Sequence, residues 1–389
     1  MKTVLVIFGG QSTEHDISII TAINSIIKPL EMTKKFSVVP LYIAKNGNWY
    51  YHPRLKDLAL YQSGQIEKFL SKIEPVKIDF NKGLNIFYRN KIKNQKIKVD
   101  LVFPALHGTK GEDGALMGLL EMANVAYVGC DMSSSAIAMN KVLSKQLAQV
   151  NQINTSKFMW FKKADLANQS LEKIAQKVKA QLKFPLFVKP AHLGSSIGIS
   201  RVKELPDLIN AIELAFYYDD LVLVEEEVPN LIEVTLPIIG NQQPQPAYLE
   251  RPLLKAGDFF DFNTKYLSGG KKSGGQKTDQ NSQGYSEIPA KLDKKLYQQA
   301  EDLGVKVFKV FSLSGIARVD MLIDAKLQKV YFNEINPLPG SLYAHNFQKF
   351  GISNIDLVIK LIDLAFDKFQ DSQAIQKVFS TNYLKQFQV

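Results

Sequence analysis

Cysteine is nearly absent. The 389 residues contain one, Cys130, which excludes an intrachain disulfide framework and any zinc site built from several thiolates. A reducing compartment fits that usage. Long apolar runs are missing too: no stretch approaches the ~18 uninterrupted apolar residues of a membrane span. The apolar run at 4–8 is too short for a signal-peptide core, and Glu14 and Asp16 follow it closely. A cytoplasmic chain with no membrane partner is therefore expected. The phosphate loop Gly-x4-Gly-Lys-Ser/Thr does not occur, so a Walker-type nucleotide site is excluded. No internal repeat is visible. Acids are in deficit, with 38 Asp+Glu against 48 Lys+Arg, a net charge of +10 and a pI near 9.2. Such a balance suits nucleic acid, an anionic surface or a phosphorylated ligand, and does not choose among them. At 46% hydrophobic and 22% charged, the composition is that of a folded globular chain. At roughly 100–200 residues per domain, the length predicts two or three domains.

The run 4–8 ends at Gly9-Gly10, the pattern of a buried parallel strand entering a tight turn. Thr13-Glu14-His15-Asp16 then fits a capping-box helix start, with Ile20, Ile23, Ile27 and Leu30 at helical spacing. Residues 36–43 read as another strand, so a doubly wound α/β unit is expected. Lys91, Lys93, Lys96 and Lys98 alternate with Ile92 and Ile97 around Asn94-Gln95, predicting an exposed basic hairpin. A charged edge that discourages sheet pairing explains it more simply than a nucleic-acid surface does. No aromatics interleave these lysines and no DNA- or RNA-binding motif occurs, so no nucleic-acid partner is expected. Residues 99–106 read as a strand ending in a glycine-rich loop from His107 to Gly114. A helix follows, with Ala115, Leu116, Leu119, Leu120 and Ala123 on one face.

A second unit begins near 137, with a helix showing Leu143, Leu147 and Val150. A strand at 186–189 enters the loop Pro190-Ala191-His192-Leu193-Gly194-Ser195-Ser196-Ile197-Gly198. A strand at 221–224 runs into Glu225-Glu226-Glu227. The 267–285 segment carries Gly269, Gly270, Gly274, Gly275 and Gly284 among Lys, Ser and Gln, which fits a loop insertion or an active-site lid. Leu292, Leu296, Leu303, Val307 and Val310 mark an amphipathic helix. The expected division is 1–136, α/β, then 137–229 and 230–389, both α+β.

Two strands carry the most chemistry. Residues 316–323 alternate so that Arg318 and Asp320 share one face, while Ala317, Val319, Met321 and Ile323 share the apolar one. After a turn at 324–328, a strand at 330–336 places Glu334 and Asn336 on one face with Phe332. Two carboxylates and an amide make an all-oxygen set suited to Mg²⁺ or Mn²⁺. Arg318 beside them would neutralise charge developing on a transferring phosphoryl group. A surface salt bridge between Arg318 and the acids would use the same residues. In the 190–198 loop, Gly194 and Gly198 flank Ser195-Ser196. Their backbone N–H groups could wrap phosphate, with Lys189 as a point charge, or the segment is an ordinary turn.

Several stretches now fall into one order. They are Phe8-Gly9-Gly10-Gln11-Ser12-Thr13-Glu14-His15-Asp16-Ile17-Ser18, Ala105-Leu106-His107-Gly108 with Gly111-Glu112-Asp113-Gly114, and Met139-Asn140-Lys141. Further on come Phe187-Val188-Lys189-Pro190 with Gly194-Ser195-Ser196-Ile197-Gly198, Lys265-Tyr266, Ala317-Arg318-Val319-Asp320, and Asn333-Glu334-Ile335-Asn336 with Pro339-Gly340. Over most of its length the chain resembles D-alanine–D-alanine ligases of the ATP-grasp superfamily. That resemblance implies three domains with ATP held between the second and third, and a homodimer. It also implies phosphorylation of one D-alanine by ATP, attack on the acylphosphate by a second D-alanine, and a dipeptide for peptidoglycan.

The resemblance implies roles by position. Glu14 would hold the ammonium of the first D-alanine, although an acid at a helix N-terminus is also favoured by the dipole. Ser195 and Tyr266 would complete a hydrogen-bonded set with Glu14. Lys141 and Lys189, with Ser196 in the loop, would meet ATP phosphates, and Lys265 would join from the 267–285 lid. Glu225, Glu226, Glu227 and Val228 would meet adenine, and Glu233 or Glu227 the ribose. Asp320, Glu334 and Asn336 would hold two ions. Arg318 and the Gly340 N–H would stabilise the oxyanion, with His107 and Ser341 near substrate. The chain departs from the family at Pro337, where Thr or Ser is usual, and in the segment after Gly340. The alternatives are a relative using D-lactate or D-serine as acceptor, a silent ATP-binding relative and a basic nucleic-acid-binding protein.

Overall fold

The structure, a computed structural model, describes residues 1–90, 93–253, 286–378, 380–381 and 383–386. The expected sites Lys265 and Tyr266, the 267–285 lid, and Lys91 and Ile92 of the basic hairpin lie outside the described residues.

The first sheet has five strands in the order Trp49–Tyr51, Phe36–Ile43, Lys2–Gly9, Leu101–Pro104, Ala126–Tyr127. Only the first pair is antiparallel. The central strand is buried and apolar from Val4 to Phe8, as a parallel strand covered on both faces must be. Gly9 turns the chain at φ +91°, and any Cβ there would collide with the Ile43 carbonyl. The helix that follows runs through His15–Ile20, a π-helical stretch Thr21–Ile27 and Lys28–Thr33. The capping box expected from Thr13 is not formed. Glu14 occupies the cap, its side chain makes no capping bond to the helix N–H groups, and its own N–H donates to Ser12 Oγ. Ile20 also leaves the expected apolar face. It is exposed, while Ile19, Ile23, Ile26 and Ile27 are buried, because the wider π turn shifts the helical phase.

A three-stranded sheet, Lys77–Asp79, Asn85–Asn90 and Lys93–Lys98, packs beside this one. Asn94 and Gln95 are strand residues paired with Arg89 and Tyr88, not the turn expected there. Lys93, Lys96 and Lys98 do lie on an edge strand with exposed side chains.

Two four-stranded sheets, called the second and third below, are antiparallel. One is ordered Ser200–Val202, Leu186–Pro190, Leu221–Glu226, Phe158–Lys162; the other Gln245–Pro246, Leu231–Gly240, Gly315–Asp324, Lys329–Asn336. Ala317, Val319, Met321 and Ile323 are all buried against the helix Lys294–Val310, as their alternation predicts. The helix Lys141–Val150 turns differently from expectation, with Leu143 and Val150 exposed and Val142, Lys145 and Ala148 buried. A buried ion pair, described below, sets that orientation. Through Leu357, Val358, Leu361 and Ile362, the long helix Asn354–Ala374 joins the apolar core of the first sheet. Among the described residues, no helix is long and apolar enough to cross a membrane.

Candidate active site

A cleft of about 470 Å³ opens between the second and third sheets. One wall carries Lys189, Ser196 and residues 225–228, and the other Glu233, Thr235, Arg318, Asp320 and Glu334. A smaller cavity lies beside it, lined by Glu14, Glu112, Lys141, Ser195 and Asn336. Arg318 and Glu334 line both, so the two chambers meet at that pair.

The third sheet builds this junction through its register. Arg318 pairs with Asn336 and Asp320 with Glu334, but Met321 pairs with Phe332. Asn333 is the extra residue of a β-bulge, which breaks the period-2 alternation. Phe332 therefore faces the apolar core and does not share a face with Glu334, contrary to the expectation from alternation alone. The same bulge brings Asn333, which sequence reading assigned no role, to the cleft.

Arg318 grips Asp320 with two bonds, Nε to Oδ1 at 2.7 Å and Nη2 to Oδ2 at 2.6 Å. Both side chains are largely buried, so the plain surface salt bridge does not describe them. Burial alone would lower the arginine pKa, but the Asp320 charge and hydrogen bonds raise it well above the ordinary value. With the Asn336 amide oriented to satisfy both its groups, its oxygen accepts from Arg318 Nη2 at 3.2 Å and its nitrogen donates to Glu112 Oε1 at 3.0 Å. Asp320, Glu334 and Asn336 thus present oxygen donors around one guanidinium, a set that fits a hard divalent cation. Such a cation would compete with Arg318 for two of the three.

The second chamber joins distant segments. Ser195 Oγ donates to Glu14 Oε1. Glu14 sits where Ser18 ties the turn together, accepting from Gly9 N–H at 2.8 Å and donating to Ala105 O at 2.7 Å. Ser195 and Ser196 are both left-handed, at φ +53° and +59°, a conformation that bunches backbone N–H groups on one side of a loop. His107 is buried, with Nε2 2.9 Å from Thr21 Oγ1 and Nδ1 3.5 Å from Glu112. Burial would lower its pKa, but the hydrogen bond and charge of Glu112, with Glu14 beyond, raise it overall. Glu112 also accepts from Gly108 N–H at 2.7 Å, which makes it a hub that composition could not single out. The Ser341 N–H donates to Thr21 Oγ1 at 2.9 Å. Thr21, in the π-helical turn, thereby holds His107 and the segment after Gly340 together. Ser341, Leu342 and Tyr343 are consecutively left-handed, at φ +52°, +53° and +51°. Strain of that kind gathers at functional sites. The Tyr343 ring stacks 5.2 Å from the Arg318 guanidinium.

The lysines come from the helix Lys141–Val150 and, for Lys189, from the second sheet. Lys141 Nζ lies 3.3 Å from Glu334 and donates to Leu193 O at 2.7 Å. Lys189 reaches Glu225 at 2.5 Å and Lys145 reaches it at 2.8 Å. Desolvation would raise the Glu225 pKa, but the two ammoniums hold it well below the usual carboxylate range. Glu227 is held by Arg201 through both its oxygens, and Glu226 accepts from the Lys183 N–H at 2.9 Å. The three adjacent acids are therefore not a solvated strand end. Of the sequence candidates, Glu14, Lys141, Lys189, Ser195, Ser196, Glu225, Glu226, Glu227, Val228, Glu233, Arg318, Asp320, Glu334 and Asn336 all line the two cavities. His107 and Ser341 adjoin them through Thr21. Gly340 opens the single turn Gly340–Tyr343.

A parallel-sheet unit followed by two antiparallel sheets, closing on a cleft with Lys189 and the acids 225–227 on one wall and Arg318, Asp320 and Glu334 on the other, defines an ATP-grasp protein. The description "D-ala D-ala ligase N-terminus" matches residues 3–130 and "D-ala D-ala ligase C-terminus" residues 147–363. A D-alanine–D-alanine ligase from Caldicellulosiruptor bescii is 35% identical over 96% of this chain and 97% of its own. One from Acetivibrio thermocellus is 34% identical over 95% and 97%. Among solved structures, the D-alanine–D-alanine ligase from Coxiella burnetii superposes with a TM-score of 0.78 at 28% identity, covering 96% of each chain. The VanG D-Ala:D-Ser ligase from Enterococcus faecalis gives 0.74 at 32% identity, covering 94% of this chain and 99% of that one. The chain belongs to the D-alanine–D-alanine ligase family.

Proposed function

We propose that this protein joins two D-alanines at the expense of ATP, releasing ADP and phosphate and giving D-alanyl-D-alanine for peptidoglycan synthesis. The observation that carries the reading is the junction at Arg318 and Glu334, where the cleft lined by Lys189 meets the chamber holding Glu14, Lys141 and Ser195. A nucleotide in the cleft would point its phosphates at a small zwitterion in the chamber.

The residues divide the work by chemistry. Glu14, oriented by Ser195, takes the ammonium of the first D-alanine. Its carboxylate then lies toward Arg318 and receives the γ-phosphoryl group from ATP, giving an acylphosphate and ADP. The amine of the second D-alanine attacks the acyl carbon, and phosphate leaves with its bonding pair. Arg318 and the Gly340 N–H meet the oxyanion, a task that needs donors fixed before charge develops. Lys141, Lys189 and the Ser195-Ser196 loop meet phosphate, with Lys265 and Tyr266 joining them. Residues 225–228 border adenine, Glu233 or Glu227 the ribose, and His107 and Ser341 flank substrate. Asp320, Glu334 and Asn336 would hold Mg²⁺ or Mn²⁺, two ions in all, which when bound neutralise phosphate charge. The domain division 1–136, 137–229 and 230–389, a homodimer and a cytoplasmic location belong to the same proposal.

Phosphate release from Mg-ATP tests it, with D-alanine alone and then with D-lactate or D-serine as the second substrate. D-alanine-dependent release with dipeptide as product supports the reading. Release only with D-serine or D-lactate would make this an acceptor variant, the class to which the VanG relative belongs. No release with any D-amino or D-hydroxy acid would remove the ligase reading.

A further inference from the structure

Lys145 is the largest charged side chain sealed in the core, 1% exposed, and it lines neither cavity. It stands four residues after Lys141 on the helix Lys141–Val150, so the two ammoniums leave the same helix face. Lys141 goes to Glu334, while Lys145 goes to Glu225 at 2.8 Å and Ser156 Oγ at 3.1 Å. The second oxygen of Glu225 holds Lys189 at 2.5 Å. Of the two amines on that carboxylate, only Lys189 reaches the cleft. Burying an amine carries a desolvation cost that pairing only partly offsets, so a buried lysine outside the cleft raises the question of its use.

Charge counting supplies the use. Two ammoniums, Lys145 and Lys189, share the single carboxylate of Glu225, an excess of one positive charge at that carboxylate, with Glu334 and Glu233 adding negative charge around Lys189. That excess surfaces where Lys189 meets the cleft. We infer that Lys145 is a positioning residue that occupies half of Glu225 and so keeps Lys189 available to an anion in the cleft, the nucleotide phosphates. Without Lys145, Glu225 and Lys189 close into a neutral pair and Lys189 is withdrawn. The inference rests on the nucleotide reading of the cleft given above.

The test compares wild type with Lys189→Met, Lys145→Met and the charge-keeping Lys145→Arg. Steady-state phosphate release gives KM for ATP, KM for D-alanine and kcat. Lys189→Met checks the underlying reading, and an unchanged KM for ATP there brings down that reading and the inference with it. Lys145→Met, with its methylene stem kept, is expected to raise KM for ATP about tenfold, the scale of one charge-assisted hydrogen bond. KM for D-alanine should stay within about twofold of wild type. Lys145→Arg keeps a positive charge on Glu225 and is expected to hold KM for ATP within about threefold of wild type. A merely structural lysine predicts the opposite, equal rises in the two KM values. If Lys189→Met raises KM for ATP but Lys145→Met does not, the inference is overturned while the cleft reading stands. If Lys145→Arg is no better than Lys145→Met, it is overturned as well. Should Lys145→Met fail to fold, Lys145→Arg decides alone, and a tenfold rise in its KM for ATP refutes the role.

Discussion

Asp320→Asn probes the junction directly. Asp320 accepts both bonds of the Arg318 fork, at 2.7 and 2.6 Å. The substitution removes the charge and turns one acceptor into an N–H₂ donor facing a donor, so one bond is lost and the other loses its charge assistance. Breaking a fully buried pair costs about 3–5 kcal/mol. With the two side chains 11% and 13% exposed, about 2–3 kcal/mol is expected here. At about 2 °C per kcal/mol in a chain of this size, the melting temperature should fall by about 4–6 °C. The effect on turnover should be larger in kind. Losing one carboxylate from the oxygen set removes about 3 kcal/mol of charge stabilisation from the reacting phosphoryl group, roughly a hundredfold in kcat. Asp324→Ala is the control. Asp324 is 1% exposed on the same strand and caps a turn, accepting from the N–H groups of Lys326 at 3.0 Å and Leu327 at 3.1 Å. It should cost about 1–3 kcal/mol, lowering the melting temperature by about 2–6 °C, and leave kcat per folded molecule near wild type. Phosphate release at saturating ATP and D-alanine across a Mg²⁺ titration, with thermal melts alongside, separates the two. A kcat for Asp320→Asn within threefold of wild type at saturating Mg²⁺ would refute the reasoning.

Other outcomes follow from the same geometry. Ser195→Ala removes the hydroxyl that orients Glu14 and should raise KM for D-alanine by about 10–100-fold, the worth of a hydrogen bond to a charged group; equal losses in the ATP and D-alanine constants would contradict that. Phe332→Ala empties a core position packed 5.6 Å, ring to ring, from Phe311 and should cost about 3–5 kcal/mol in denaturant unfolding; a cost below 1 kcal/mol would place Phe332 toward the cleft after all. The His192–Asp219 contact, 2.9 Å, raises the histidine pKa above its ordinary value. A raised folded-state pKa stabilises at pH below the ordinary value of about 6.5 and is lost as pH climbs through the folded value. The melting-temperature gap between wild type and His192→Gln should therefore be widest near pH 5.5 and narrow toward pH 8.5; a pH-independent gap would exclude the ion pair as its cause.

Local pattern carried much of this protein. The apolar run ending at Gly9-Gly10 and the alternation of Ala317, Val319, Met321 and Ile323 sufficed to place the first strand and the core face of the third sheet, because side-chain period and steric demand are properties of a few consecutive residues. The motif order was enough to gather Glu14, Lys141, Ser195, Arg318, Asp320 and Glu334 as one candidate set. Where local pattern failed, a partner far along the chain had intervened. Phe332 left the face of Glu334 because a bulge arises only when two strands pair out of step. The helix Lys141–Val150 buries Lys145 rather than Leu143 because a carboxylate 80 residues later, Glu225, neutralises it. Thr21, silent in sequence, became the link between His107 and Ser341. Periodicity is written in neighbouring residues, whereas the energy of a buried charge or hydrogen bond depends on which partner the folded chain brings to it. The chain alone therefore determined the strands and the chemical inventory, and only the tertiary structure decided which charges are shared, which are sealed and which remain open to the cleft.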